Sequence, residues 1–159
     1  MAKAKNKYKI PIELNKIIHW HKKASPAHVG KLKHSLDFIV PEGTAIYAAL
    51  DGKVVFVKQN SNQGGNSKKY WLMGNRIVIK HKNKEYTAYE HLKYKGSKVK
   101  RGQIVAKGRL IGYSGNTGFS NRPHLHFEVF TNPDSDEAEG ETLQISFGIP
   151  RIGRCKHDE

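Results

Sequence analysis

Two of the nine histidines in this 159-residue chain, His124 and His126, stand two positions apart in the apolar run PHLHFEVF. Successive side chains of a strand point to opposite faces, so residues at i and i+2 share one. Both imidazoles should therefore look into the same space. Imidazole serves either as a zinc ligand or as a proton carrier, depending on its neighbours. A hydrogen-bonded pair of strand histidines would need only the same spacing, so the rest of the chain has to decide. Upstream, AHVGKLKHSLDFIVPEGTAIYAALDGKVVFV brings His28, His34 and Asp37 ahead of a Pro-Glu-Gly-Thr turn and an alternating apolar strand. Between the two regions, EYTAYEHLKY ends a run of strand formers on His91. Three separated segments each deliver His or Asp at a strand end. An open zinc site needs three such ligands and a fourth position for water, and further histidines remain for proton transfer.

In order along the chain, LDFIVPEGTAIYAALDGKVV, GNRIVIKH, YEHL and VKRGQIVAKGRLIGYSGNTGFSNRPHLHFEV resemble the lysostaphin-type zinc metallopeptidases, which cut the peptide part of bacterial peptidoglycan. ETLQISF, residues 141 to 147, resembles the closing strand of a subgroup. The resemblance implies one zinc per chain, held by a first His, by Asp37 and by His126, with His91 and His124 as catalytic histidines that do not bind the metal. The first ligand has two candidates. In the commonest pattern it precedes the Asp by four residues, where this chain has Lys33. His34 stands three residues before Asp37, and His28 stands nine before it, the spacing of a subgroup with a His-x-Gly pattern. In a continuous strand an offset of three would put His34 on the face opposite Asp37. His28 is the favoured ligand.

The implied reaction is hydrolysis of a peptide bond by metal-activated water. Zinc lowers the pKa of bound water to about 7 and polarises the scissile carbonyl. One of His91 and His124 takes a proton, while the other stabilises the developing oxyanion or protonates the leaving amine. Tyr89 and Glu128 share strand parity with His91 and His126, so Tyr89 is a candidate hydrogen-bond donor near His91, with core packing and its hydroxyl at the rim as the favoured reading. Glu128 is a candidate partner for an imidazole. Ser114-Gly115-Asn116-Thr117-Gly118 lacks the Lys-Ser/Thr ending of a phosphate loop and reads as a groove wall, with Tyr70 and Trp71 at one end.

The elements that must position these groups are mostly strands. Strand-like segments separated by Gly/Asn/Pro clusters at short intervals predict an all-β, single-domain fold, an antiparallel sheet, rather than βαβ units. The resemblance adds a substrate groove along one face. RIVIKH and EYTAYEH read as a hairpin, and only KIPIELNKIIHWHKK suggests a short helix. The organisation predicted is a basic N-terminal extension (1–24), a metallopeptidase domain (25–148) and a C-terminal tail (149–159). The chain can bury a core without disulfides, and the single Cys155 cannot form an internal bridge.

Lys and Arg number 28 against 14 Asp and Glu, a formal net charge of +14. The lysines are dispersed, which argues against a sequence-specific nucleic-acid reader. Dispersal suits non-specific attraction to anionic wall polymers around a peptidoglycan substrate. No apolar run approaches the ~20 residues of a membrane span, and no signal peptide is evident. The resemblance places the protein's action at the cell envelope or outside the cell, as a monomer. The alternative is a noncatalytic basic module that holds wall material in the same groove. It would tolerate chelation and show steep salt dependence.

Overall fold

The computed structural model describes residues 2–21, 30–132 and 140–148. It is built from fourteen strands and four short 3-10 turns. The strands are β1 (Lys3–Tyr8), β2 (His19–His21), β3 (Leu36–Ile39), β4 (Ala45–Tyr47), β5 (Gly52–Lys58), β6 (Gly64–Gly65) and β7 (Asn75–Lys80), followed by β8 (Glu85–Leu92), β9 (Ile104–Val105), β10 (Leu110–Tyr113), β11 (Gly118–Phe119), β12 (Leu125–Thr131), β13 (Glu141–Thr142) and β14 (Gln144–Phe147). The principal sheet runs β2-β3-β12-β8-β7-β5-β9, with β13 added beside β12. Its ladders are antiparallel throughout. Antiparallel neighbours allow the two faces of a strand to differ in polarity, and this sheet uses that freedom.

One face is the main core. Phe38, Val54, Ile77, Ile79, Tyr89, Leu125, Phe127 and Val129 alternate inward on five adjacent strands and are fully buried. Phe127 lies at the centre, with ring centroids 6.5 Å from Phe38 and 5.3 Å from Tyr89. Burying each such side chain contributes about 1.5–3 kcal/mol. The opposite face is divided along its length. Val78, Tyr86, Ala88 and Phe130 form a small second apolar cluster at one end, with Tyr86 and Phe130 stacked at 5.1 Å. Arg76, Glu90, His126 and Glu128 continue the same side-chain parity toward the other end, where the candidate site lies.

β7 and β8 form the expected hairpin, turning through Asn83 and Lys84 at φ 63° and 55°. Asn tolerates that left-handed conformation better than most residues. The segment expected to hold a helix instead carries a 3-10 turn, Leu14–Lys16, and then β2. Ile12 is buried while Ile18 is 71 % exposed, so these residues do not present one helical apolar stripe.

β1 is a strand that its composition conceals. Its sequence, KAKNKY, is half lysine, yet Asn6 and Tyr8 are buried while Lys3, Lys5 and Lys7 are exposed. The strand pairs in parallel with β14 and is latched by buried Glu85. The Lys5 N–H donates to Glu85 Oε2 at 2.7 Å, and the Asn6 N–H and Tyr8 hydroxyl donate to Oε1 at 3.0 Å each. Hydrogen bonds to a charged acceptor each contribute about 1.5–3 kcal/mol, which offsets the poor strand propensity of lysine and asparagine.

Candidate active site

The site is assembled by cross-strand register. Four adjacent strands place Arg76 opposite Glu90, Glu90 opposite His126, and His126 opposite Asp37, in one row across the sheet. Residues directly opposite on antiparallel strands have Cβ atoms about 4.5–5.5 Å apart, close enough for side chains to meet. Asp37 Oδ1 lies 3.2 Å from His126 Nδ1, and His126 Nε2 lies 3.0 Å from Glu90 Oε2. Arg76 closes the row, its Nε 3.1 Å from Glu90 Oε1 and its second guanidinium nitrogen 3.6 Å from Glu128 Oε1.

His124 enters from the residue before β12 and shares the face of His126, as the two-residue spacing requires. Its Nε2 is 3.8 Å from Asp37 Oδ1. Its Nδ1 is 2.8 Å from the Arg122 carbonyl and 3.1 Å from Ser120 Oγ. A carbonyl can only accept, so Nδ1 carries a proton, and in the neutral ring the lone pair falls on Nε2.

His91 reaches the site by a different route. Strict alternation would send it to the core face with Tyr89, but its φ of +63° turns it out of the strand. The ring then sits 4.5 Å from His124 and 6.0 Å from His126, centroid to centroid. Its Nδ1 donates to the Thr117 carbonyl at 2.7 Å, again leaving the lone pair on Nε2. Thr117 is itself pinned, its hydroxyl donating to the Leu92 carbonyl at 2.7 Å and accepting the Asn75 N–H at 3.0 Å. Gly118, at φ +81°, completes this wall: a Cβ there would lie 2.7 Å from Gly74 Cα and 3.4 Å from His91 Nδ1. Beyond it, Trp71 is 56 % exposed and packs against Phe119 at 6.1 Å.

Burial and neighbours separate the two kinds of histidine. Desolvation, and the proximity of His124 and His126, hold His91 down at about 4, so it is neutral at pH 7. Burial also works against charge on His126, but Glu90, Asp37 and Glu128 outweigh it and hold the group up at about 9. Glu128 is pushed up to about 7 by burial and by Glu90.

Could these residues hold zinc? With ligands about 2.0–2.1 Å from a tetrahedral zinc, two donor atoms lie about 3.3 Å apart. Asp37 Oδ1 and His126 Nδ1, at 3.2 Å, fit that edge. Among the described residues, the only three potential ligands with donor atoms all within 4.8 Å of one another are Glu90, His126 and Glu128, on the Nε2 side of the ring. That side already holds a cation, the Arg76 guanidinium, between the two carboxylates. The Asp37 side is the better place for a metal. His28 lies outside the described residues. His34 sits in a turn before β3 rather than in a continuous strand, so alternation does not govern it, and its backbone N–H donates to Thr142 Oγ1 at 3.1 Å.

The structure decides between the two readings of Tyr89, re-ranks Glu128 and adds Arg76. Tyr89 does not bond near His91: its hydroxyl lies in the core, accepting the Ala49 N–H at 2.9 Å and pairing with Thr87 Oγ1 at 3.0 Å. Glu128 is not the nearest carboxylate to His126, being 3.9 Å from Nε2 against 3.0 Å for Glu90. Arg76 escaped notice, although setting Lys80 opposite Tyr86 at the hairpin turn would have brought Arg76 opposite Glu90.

Comparison with known proteins identifies the family. Residues 31–137 match the description "Peptidase family M23". The peptidoglycan DD-endopeptidase ShyA of Vibrio cholerae is 36 % identical over 117 residues, covering 72 % of this chain and 24 % of ShyA. Lysostaphin of Staphylococcus staphylolyticus is 38 % identical over 128 residues, covering 78 % of this chain and 24 % of lysostaphin. The chain thus spans about a quarter of the length of these relatives. Among solved structures, lysostaphin from Staphylococcus simulans superposes with a TM-score of 0.59 at 31 % identity, covering 83 % of this chain and 49 % of that one. A zinc-containing peptidase from Vibrio cholerae gives 0.58 at 30 % identity, covering 79 % and 37 %. The all-β fold, the ordered motifs and the match over most of the chain lead to one assignment: this chain belongs to peptidase family M23.

Proposed function

We propose that the protein is a zinc-dependent endopeptidase that hydrolyses peptide bonds in the stem peptides or cross-bridges of peptidoglycan. The observation that carries the reading is the 3.2 Å approach of Asp37 Oδ1 to His126 Nδ1, a tetrahedral ligand edge, with His124 Nε2 3.8 Å from the same oxygen. Asp37, His126 and His28 would hold the metal. The nine-residue spacing supports His28. Bound there, zinc would lower the pKa of a coordinated water to about 7 and polarise the scissile carbonyl.

The chain's own groups supply the rest. His91 is neutral at working pH, with its Nε2 lone pair available, so it suits removal of a proton from the attacking water. Once protonated, His91 can pass that proton on to the leaving amine, and His124, its Nδ1 held by the Arg122 carbonyl and its ring 4.5 Å away, shares that space. The glycine-lined wall at Gly74 and Gly118 keeps side chains away from His91, leaving room for the backbone of an extended peptide. Residues 25–148 constitute the catalytic domain in this reading. It works as a monomer at the cell envelope or outside the cell, drawn to anionic wall polymers by its net charge of +14. Among the described residues no helix is long and apolar enough to cross a membrane.

The test is mass spectrometry of purified peptidoglycan fragments incubated with zinc-loaded protein, beside His126→Ala and chelator-treated controls. New fragments with a freed amine and carboxylate, present only with the intact site, are expected. Intact fragments across several cross-link types, from protein that holds zinc, would sink the proposed substrate.

A further inference from the structure

We infer that Glu90, clamped by Arg76, is the positioning residue that aims Nδ1 of His126 at the metal site. The inference rests on the zinc reading above. An imidazole offers a metal either nitrogen, and the choice is set by what the other nitrogen meets. Here His126 lies between two carboxylates, Asp37 at 3.2 Å from Nδ1 and Glu90 at 3.0 Å from Nε2. If the proton sat on Nδ1, facing Asp37, the nitrogen beside the other ligand would be blocked. When a metal takes Nδ1, the charge of Glu90, 3.0 Å from Nε2, favours keeping the remaining ring proton there. A carboxylate behind a ligating histidine fixes its tautomer and orientation and raises its basicity.

Three features make Glu90 the residue for this task. It is the direct register partner of His126, so the backbone ladder itself sets the approach. It is held on its other oxygen by Arg76 Nε at 3.1 Å, which limits its freedom to swing away. Its rival Glu128 stands 3.9 Å from Nε2 and is turned toward Ser35 Oγ at 3.4 Å and Arg76 at 3.6 Å. Arg76 has a second consequence. By pairing with both Glu90 and Glu128, its guanidinium supplies the positive charge that would otherwise invite a divalent ion to the Nε2 side.

The experiment measures zinc affinity by competition with a chromophoric chelator for the full chain and for Glu90→Ala, Glu90→Gln and Glu128→Gln. Nitrogen-15 spectra of His126 in the zinc-loaded protein accompany it. Glu90→Ala is expected to weaken zinc binding about 10–100-fold. Glu90→Gln should give an intermediate loss, since it keeps an acceptor without the charge, and Glu128→Gln the smallest. The spectra should show metal on Nδ1 and a proton on Nε2. Urea unfolding of the metal-free proteins separates positioning from folding: a loss of zinc affinity that merely tracks a loss of metal-free stability overturns the inference. So does zinc bound to Nε2, or affinity unchanged in both Glu90 variants. Wild-type chain that binds no zinc at all would instead overturn the metallopeptidase reading itself.

Discussion

The left-handed backbone at His91 makes a prediction that ordinary packing arguments would reverse. Truncating a half-buried side chain that donates a 2.7 Å hydrogen bond should destabilise a protein, and more so when the residue left is glycine. At φ +63° the order changes. A Cβ in that conformation costs about 1–2 kcal/mol, which His91→Ala keeps and His91→Gly relieves. Glycine gives back roughly 0.5–1 kcal/mol in the unfolded chain. Both variants lose the bond to Thr117, about 1 kcal/mol, so that term cancels between them. His91→Gly should therefore be more stable than His91→Ala by about 0.5–1 kcal/mol, with His91→Asn between, because Asn tolerates this region. Urea unfolding of the metal-free proteins resolves such a gap as a midpoint difference of a few tenths molar, given slopes of about 1–3 kcal/mol/M. All three variants should lose catalysis. If His91→Ala equals or exceeds His91→Gly in stability, the residue is not left-handed in solution, and the account of how this histidine reaches the site fails.

Other regions give sharper or simpler readouts. Glu85→Ala removes the acceptor of three hydrogen bonds, two of them buried, and frees β1; a loss of about 3–5 kcal/mol in urea unfolding is expected, and a loss under about 1 kcal/mol would show that β1 is not latched there. Gly118→Ala drives a Cβ to 2.7 Å from Gly74 Cα at a positive φ. It should cost about 2 kcal/mol or more and lower kcat through the displaced Thr117 carbonyl, and unchanged kcat would refute that coupling. His81 is buried between the Asp51 carbonyl at 2.7 Å and Thr87 Oγ1 at 2.8 Å, and burial lowers its pKa. Its native form thus binds fewer protons than the unfolded chain as pH falls below about 6.5. Stability is fully present above that pH and declines toward the lowered native pKa, by at most about 1.4 kcal/mol per pH unit. His81→Gln should flatten the fall in stability between pH 7.5 and 5.5, and identical slopes would exclude His81 as its source.

What the sequence conveyed and what it withheld divide along a physical line. The His124–His126 spacing fixes a shared face because strand geometry has a strict period of two, and Asp37 joins them through its own alternating strand. His91 could be found by type and by resemblance, but not by parity, since one left-handed residue reverses its face. The approach of Glu90 to His126 depends on which strands lie side by side and in what register, a long-range property that no local pattern encodes, whereas Arg76 opposite Glu90 follows from the β7–β8 hairpin alone. β1 was hidden for a related reason. Its strand character comes from a distant carboxylate, Glu85, rather than from its own lysine-rich composition.

The row of Arg76, Glu90, His126 and Asp37 also bears on how the chain avoids misassembly. Sliding β12 by one residue against β8 would expel Phe127 from the core, so hydrophobic burial alone rejects that error. Sliding it by two would return apolar residues to the apolar face and escape that check. In the direction that sets Glu128 opposite Glu90 the charges catch it, because the ion pair with His126 is exchanged for two facing carboxylates. The polar row thus acts as a proofreading key for strand alignment. A chain that has passed it has already set His126 beside Glu90, so aligning these two strands also builds part of the site.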